Sequence, residues 1–318
     1  MKSNLAQSEQ IRSSESFLQR AGKDIRKNMG VYAMFLPVLL FYIIFCYKPM
    51  YGAIIAFQNF VPAKGISGSE WVGFKHFIDF FQSYHFTRVF KNTLVISITS
   101  LVIGFPAPII LALLLNELRS RKFSRVVQTI TYMPHFISLV VVAGMIKDFT
   151  SSQGFITEFL VTIFHMERTA LLTKPNLFVP IYVLSDVWQS VGWGSIVYLA
   201  ALSGVDQELY EAARIDGAGH FRQVMSITLP CIIPTIVIMF ILRMGSVLNV
   251  GFEKIILLYN PSTFETSDVI SSFVYRKGLQ ERNWSYSTAV GLFNSVINVV
   301  MLVTSNFLSR KVCDTSLW

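Results

Sequence analysis

The chain has 318 residues, of which 53% are hydrophobic and only 14% charged, and its mean hydropathy is +0.51. A soluble domain carries about 25% charged residues, so this deficit, with several uninterrupted apolar runs, excludes an ordinary soluble fold and indicates a polytopic helical membrane protein. The net charge of +8 does not indicate nucleic acid, because the basic residues gather beside the apolar runs, where topology signals sit.

Residues 1–29 are polar and end in Lys23, Arg26 and Lys27. They read as a cytoplasmic tail. No small-residue cleavage site follows the next apolar run, which therefore reads as an uncleaved first span. Six membrane helices are expected, over residues 31–46, 93–115, 126–146, 177–202, 227–250 and 288–308. At 1.5 Å per residue each crosses or nearly crosses a hydrocarbon layer of about 30 Å. The first is the shortest and contains Pro37; tilt or extension toward Phe57 adjusts its length. Residues 30–310 thus form one transmembrane domain and 311–318 a second cytoplasmic tail.

Orientation follows from the short loops. Arg119, Arg121, Lys122 and Arg125 follow the second helix, and Arg310 and Lys311 follow the sixth. With six spans these clusters share the N-terminal side, which is cytoplasmic by the positive-inside rule. The loops at 47–92, 149–176 and 253–287 then face out. The first of them is rich in aromatic residues, including Trp71, Phe74, Phe77 and Phe80, and reads either as an interfacial belt or as a platform for an external partner.

The inner loop between the fourth and fifth helices holds a polar island. Asp206 can cap a short helix, and Glu208 suits its first turn. Leu209, Ala212 and Ala213 share a face whose alanines allow close approach, and Glu211 is left as a charge for a basic partner. Gly217 and Gly219 permit a turn. A second short helical piece leads to Leu229 and Pro230, with proline at a helix start. On residues alone, an ordinary amphipathic interfacial helix and a coupling element both remain open.

The fourth helix carries Asp186, Gln189, Ser190 and Trp193 on one face. The fifth places Arg243 near its middle, followed by Ser246 and Asn249. Ionisable groups at that depth face a bundle interior or pair with one another. Aromatic faces with Asp, Gln, Asn and Arg are also what a sugar requires. A translocation pathway is one reading; an ion pair between Asp186 and Arg243, or a subunit contact, is the other. Cys46, Cys231 and Cys313 lack disulfide or metal spacing, and the five histidines show no metal or catalytic pattern. His135, after Pro134, is placed at a kinked helix end.

The run Glu211-Ala212-Ala213, three residues, Gly217, nine residues, Ile227, then Leu229-Pro230 resembles the signature loop of type I ABC importer permeases. The stretch from Glu208 to Gly219 resembles the carbohydrate-uptake branch, related to the maltose importers. Lys48-Pro49-Met50-Tyr51-Gly52, Trp71-Val72-Gly73-Phe74, Met133-Pro134-His135-Phe136-Ile137, Asn249-Val250-Gly251-Phe252-Glu253 with Leu258-Tyr259-Asn260-Pro261, and Ser316-Leu317-Trp318 look like its oligosaccharide or polysaccharide subgroup. The resemblance implies an all-α fold of six transmembrane helices with a cytoplasmic coupling helix, in a bacterial plasma (inner) membrane. It implies that Glu211 pairs with a basic residue of an ATPase and that Gly217 shapes the turn. It also implies a second homologous permease, two ATPase subunits, an extracytoplasmic solute-binding protein and a sugar substrate held between the spans that flank the loop.

The chain has no phosphate-binding loop and so supplies no ATP chemistry of its own; no cofactor is expected on it, and ATP with Mg is expected on partner subunits. Two other classes stand against this reading. An ion-gradient-driven secondary transporter requires buried coupling acids, for which Asp186 alone is available. A membrane-embedded enzyme requires clustered nucleophile, base or metal ligands, and the sequence offers no such cluster.

Overall fold

The computed structural model describes residues 17–165, 167–313 and 315–318. The first sixteen residues of the expected N-terminal tail lie outside the described residues. Among the described residues the regular structure is helical apart from one small hairpin. Helix α1 spans Phe17–Lys27 and α2 spans Met29–Phe57. Strands β1 (Gln58–Asn59) and β2 (Glu70–Trp71) pair antiparallel, with Gln58 opposite Trp71. Then come α3 (Lys75–Gln82), α4 (Tyr84–Glu117), α5 (Arg121–Phe136), α6 (Leu139–Phe149), α7 (Phe155–Phe164), α8 (Pro175–Ser203), α9 (Gln207–Ile215) and α10 (His220–Met244). Helices α11 (Phe252–Leu258), α12 (Ile270–Tyr275) and α13 (Trp284–Cys313) complete the chain.

Among the described residues, α2, α4, α10 and α13 are each long and apolar enough to cross a membrane without interruption. The expected third helix over 126–146 is not one rod. It breaks after Phe136, and α5 and α6 meet at 101°. The break has a local cause: Pro134 tightens residues Met133–Phe136 into a 3-10 turn, and the Ser138 side chain caps α6 by accepting from the Val141 N–H. The fourth expected helix exists as α8, 29 residues long, but its polar face keeps it out of the apolar set.

The fifth helix also differs from expectation. It begins at His220 and ends at Met244, so residues 245–250 are unwound. Arg243 therefore lies in the last turn rather than near the middle, and Ser246 and Asn249 lie beyond the helix. Pro230 is the second residue of the α-helical stretch Leu229–Met244, as expected, but that stretch continues α10 without a gap from a π-helical one, Val224–Thr228. Proline cannot donate to the carbonyl four residues back and crowds it; the wider π turn makes room. The same arrangement recurs in α2, where the π stretch Tyr42–Tyr47 precedes Pro49.

Three apolar clusters hold the bundle. Ile96, Val142, Phe178, Tyr182 and Ile255 join α4, α6, α8 and α11. Ala112, Tyr198, Leu202, Tyr210 and Ile232 join α4, α8, α9 and α10. Phe80, Val89, Ile270, Phe273 and Val290 join α3, α4, α12 and α13. Helix α8 takes part in two of them and crosses α5 so closely that a β-carbon on Gly192 would stand 2.1 Å from the Thr131 carbonyl oxygen. The loop aromatics divide: Phe80 is buried in the third cluster, whereas Phe57, stacked on Trp71 at 5.6 Å, forms a second group in which Trp71 and Phe74 stay exposed.

Candidate functional site

Helix α9 is fixed at both ends by its own backbone chemistry. At its start the Asp206 carboxylate accepts from the Glu208 N–H at 3.0 Å. At its end Gly217 has φ +75°, the Ala218 N–H donates to the Ala213 carbonyl at 2.8 Å, and the Gly217 N–H donates to that of Arg214 at 3.1 Å. These two bonds close the helix in a Schellman motif, which needs a left-handed residue at this position. Gln223 then donates from its amide to the Ala218 carbonyl at 2.7 Å, tying the turn to the first turn of α10.

One residue anchors the helix in the bundle. Tyr210 is buried, and its hydroxyl meets the Thr228 hydroxyl at 2.9 Å. Leu229 packs against the same cluster. The opposite surface is free: Glu211 and Ala212 are exposed and Ala213 half-buried. Apolar Ile215 and Phe221 are 87% and 76% exposed beside them. His220 reaches Glu117 at 3.3 Å, joining the loop to the end of α4. The expected residues Glu211, Ala212, Ala213 and Gly217 thus form one rigid knob, with Leu229 beneath it and Pro230 exposed on α10.

The second set of expected residues lies where α8 meets the broken span. Trp193 stacks on His135 with ring centres 4.6 Å apart and planes 3° from parallel, and Phe136 stands edge-on to it at 5.7 Å. The Gln189 amide donates to the Ile137 carbonyl at 3.4 Å, capping the end of α5. Asp186 does not pair with Arg243. It pairs with Lys254 of α11 at 3.5 Å, and Lys254 also donates to the Tyr182 carbonyl at 3.3 Å. Lys254 is only 3% exposed, so this partner neutralises a cation that would otherwise be costly to bury. Arg243 is exposed, with Ser246 donating to its carbonyl at 3.3 Å. The Asn249 side-chain oxygen accepts from Asn294 at 2.9 Å and Asn298 at 3.2 Å, and Asn298 accepts the Leu248 N–H at 3.0 Å. These bonds pin the unwound segment to α13.

Tyr210, Thr228, Gln223, Lys254, Asn294 and Asn298 were not among the residues expected from sequence. Asn294 and Asn298, four apart in an apolar run, carried a readable signal of a shared polar face. Lys254 carried none, because its partner lies on another helix. Among the described residues there is no group of acidic, cysteine or histidine side chains that could hold a metal.

A helical membrane bundle with an exposed knob between two spans, closed at both ends and bonded into α10, is built like a transporter subunit driven from outside itself. Residues 104–313 match the model of the family described as "Binding-protein-dependent transport system inner membrane component", and the chain belongs to that family. It is a membrane permease of an ABC importer, and ATP is hydrolysed by a partner ATPase. Protein LplB of Bacillus subtilis (strain 168) is 42% identical over 288 residues, covering 90% of each chain. The polygalacturonan/rhamnogalacturonan transport system permease protein YteP of the same organism is also 42% identical over 288 residues, covering 91% of this chain and 90% of its own. A chain from the crystal structure of a bacterial alginate ABC transporter, in complex with its alginate pentasaccharide-bound periplasmic protein, aligns with a TM-score of 0.85. The two are 45% identical, over 93% of this chain and 99% of that one.

Proposed function

We propose that this chain forms half of the translocation pathway of an importer for oligosaccharides or polysaccharides in the bacterial plasma membrane. A second homologous permease forms the other half, two ATPase subunits sit at the cytoplasmic face, and an extracytoplasmic solute-binding protein delivers the sugar. The similarity to YteP and to the alginate transporter supports this substrate class and the delivery protein. In this reading the domain covers residues 30–310, both termini are cytoplasmic, and six helical passages cross the membrane, counting the broken span and α8.

The observation that carries the coupling role is the mounting of α9. Both its ends are closed, its buried tyrosine is bonded into α10, and Glu211 faces outward with no hydrogen-bond or ion-pair partner among the described residues. A push on this knob passes into α10 as a rigid-body movement, the kind of motion alternating access requires. Asp186, Gln189, Trp193, Arg243, Ser246 and Asn249 line the pathway for the sugar. The ion-gradient alternative loses its one candidate acid, because Asp186 is already engaged by Lys254.

The test is Glu211→Lys in the assembled importer. We expect assembly to persist while ATP-driven uptake is lost, since a basic ATPase residue would meet a like charge. Uptake at the wild-type rate would reject the coupling role.

A further inference from the structure

We propose that the polar cavity behind α9, closed by the ends of α4 and α8 and the start of α10, binds a phosphate ester that carries hydroxyl groups. A soluble sugar phosphate and the glycerophosphate headgroup of phosphatidylglycerol share this chemistry. The occupant ties α9 to α4 and slows the ATPase, an effect that rests on the coupling role given to α9 above.

The cavity measures about 530 Å³, a size suited to a small molecule. Gln207, Tyr210 and Arg214 line it from α9, at i, i+3 and i+7, so they share one helix face. Tyr210 is buried, so this face is turned toward the bundle, away from Glu211 and Ala212. A partner groove that grips the outer face leaves the cavity open. Lipid tails do not suit it, because Glu117, Arg119, Arg214 and His220 are among its walls.

The donors call for an anion. Arg119 follows α4, and Arg214 stands in the last turn of α9. Neither guanidinium has a hydrogen-bond or ion-pair partner among the described residues. The one acid in the lining, Glu117, is met by His220 at 3.3 Å, and Glu208, Glu211 and Asp216 of α9 lie outside the lining. The two cations therefore exceed the acid. A carboxylate is filled by a single arginine fork, whereas a phosphate ester has oxygens enough for donors from two sides.

The acceptor calls for a hydroxyl. Gln223 is 6% exposed and spends its amide on the Ala218 carbonyl at 2.7 Å. Its side-chain oxygen accepts from no group among the described residues. Such an oxygen on a cavity wall suits a ligand O–H. Arginine donors beside a free acceptor match a phosphorylated polyol better than inorganic phosphate. A phosphate shared by Arg119 and Arg214 links α9 to the end of α4, across the path along which the knob moves.

The experiment uses the assembled importer, free of nucleotide, in lipid nanodiscs. Binding of labelled glucose 6-phosphate is measured in phosphatidylcholine alone and with phosphatidylglycerol added, and retained phosphatidylglycerol is read by native mass spectrometry. If the occupant is soluble, binding in phosphatidylcholine is saturable and displaced by glycerol 3-phosphate, not by glucose or galacturonate. If it is the headgroup, phosphatidylglycerol is retained and excludes glucose 6-phosphate. In either case Arg119→Gln and Arg214→Gln should weaken binding about tenfold, the scale of a lost charge-assisted hydrogen bond. Arg121→Gln, outside the cavity, should stay within about twofold. Arg119→Lys and Arg214→Lys keep the charge without the fork, and an intermediate loss is expected of them. With ATP supplied, filling the site should lower ATPase activity about fivefold in the wild type and not in Arg214→Gln. Wild-type importer that binds neither probe, or an equal loss in Arg121→Gln, would overturn the site. Unchanged ATPase activity with the site filled would overturn the restraint on α9. Binding does not depend on which sugar is imported, so either failure leaves the permease reading intact, and Glu211→Lys tests that reading separately.

Discussion

Glu211 is useful because its helix gives it nothing to do. Its neighbours Asp206 and Gly217 serve the backbone, and Tyr210 serves the core. Each of these separates in a measurement. A β-carbon at Gly217 would meet no atom within 4 Å, so Gly217→Ala acts only through its positive φ. It should cost roughly 1–2 kcal/mol of local stability, seen as faster proteolysis of the loop in the purified permease with little change in global melting. Tyr210→Phe removes one buried hydroxyl bond, worth about 1 kcal/mol, and should lower coupled uptake more than assembly. The capping and turn residues were readable from sequence because their rules span only a few positions. The pairing of Asp186 with Lys254 was not, because it depends on how α11 folds back onto α8, and the local sequence offered Arg243 as the nearer-looking partner.

At the scale of elements, the departures from the expected helices fall beside the residues proposed to line the sugar pathway. An apolar run over 126–146 reads as one span, and only Pro134 and Ser138 mark the break inside it. The unwinding after Met244 was announced by Gly245, Ser246, Asn249 and Gly251, yet the apolar residues among them carried the reading through to 250. What holds the unwound stretch is distant: the Asn298 side chain on α13 accepts the Leu248 N–H, and Asn298 is buried. Asn298→Leu leaves that N–H unpaired, at a cost of about 1–3 kcal/mol. The variant should show a lower melting temperature as a purified complex, whereas an unchanged value would mean that water replaces the bond. The crossing of α8 on α5 makes a sharper prediction. Gly192→Leu cannot be accommodated against the Thr131 carbonyl, so the permease should fail to assemble; normal assembly would contradict the close crossing.

At the scale of the whole molecule, the bundle is unfinished by itself. Residues Met29–Met50 of α2 have no buried member, and the helix packs on α13 through its last turns, Tyr51–Phe57. That apolar length needs lipid or a neighbouring subunit. The knob at Glu211 likewise exposes Ile215 and Phe221, which suit a partner's groove. In the proposed arrangement that groove belongs to an ATPase on the cytoplasmic side. The most direct test places a cysteine at Ala212 in a variant freed of Cys46, Cys231 and Cys313, and treats vesicles with a membrane-impermeant maleimide. Labelling should occur in inverted vesicles stripped of ATPase, be blocked when the ATPase is restored, and be absent in right-side-out vesicles. Labelling from the outer face would contradict the account.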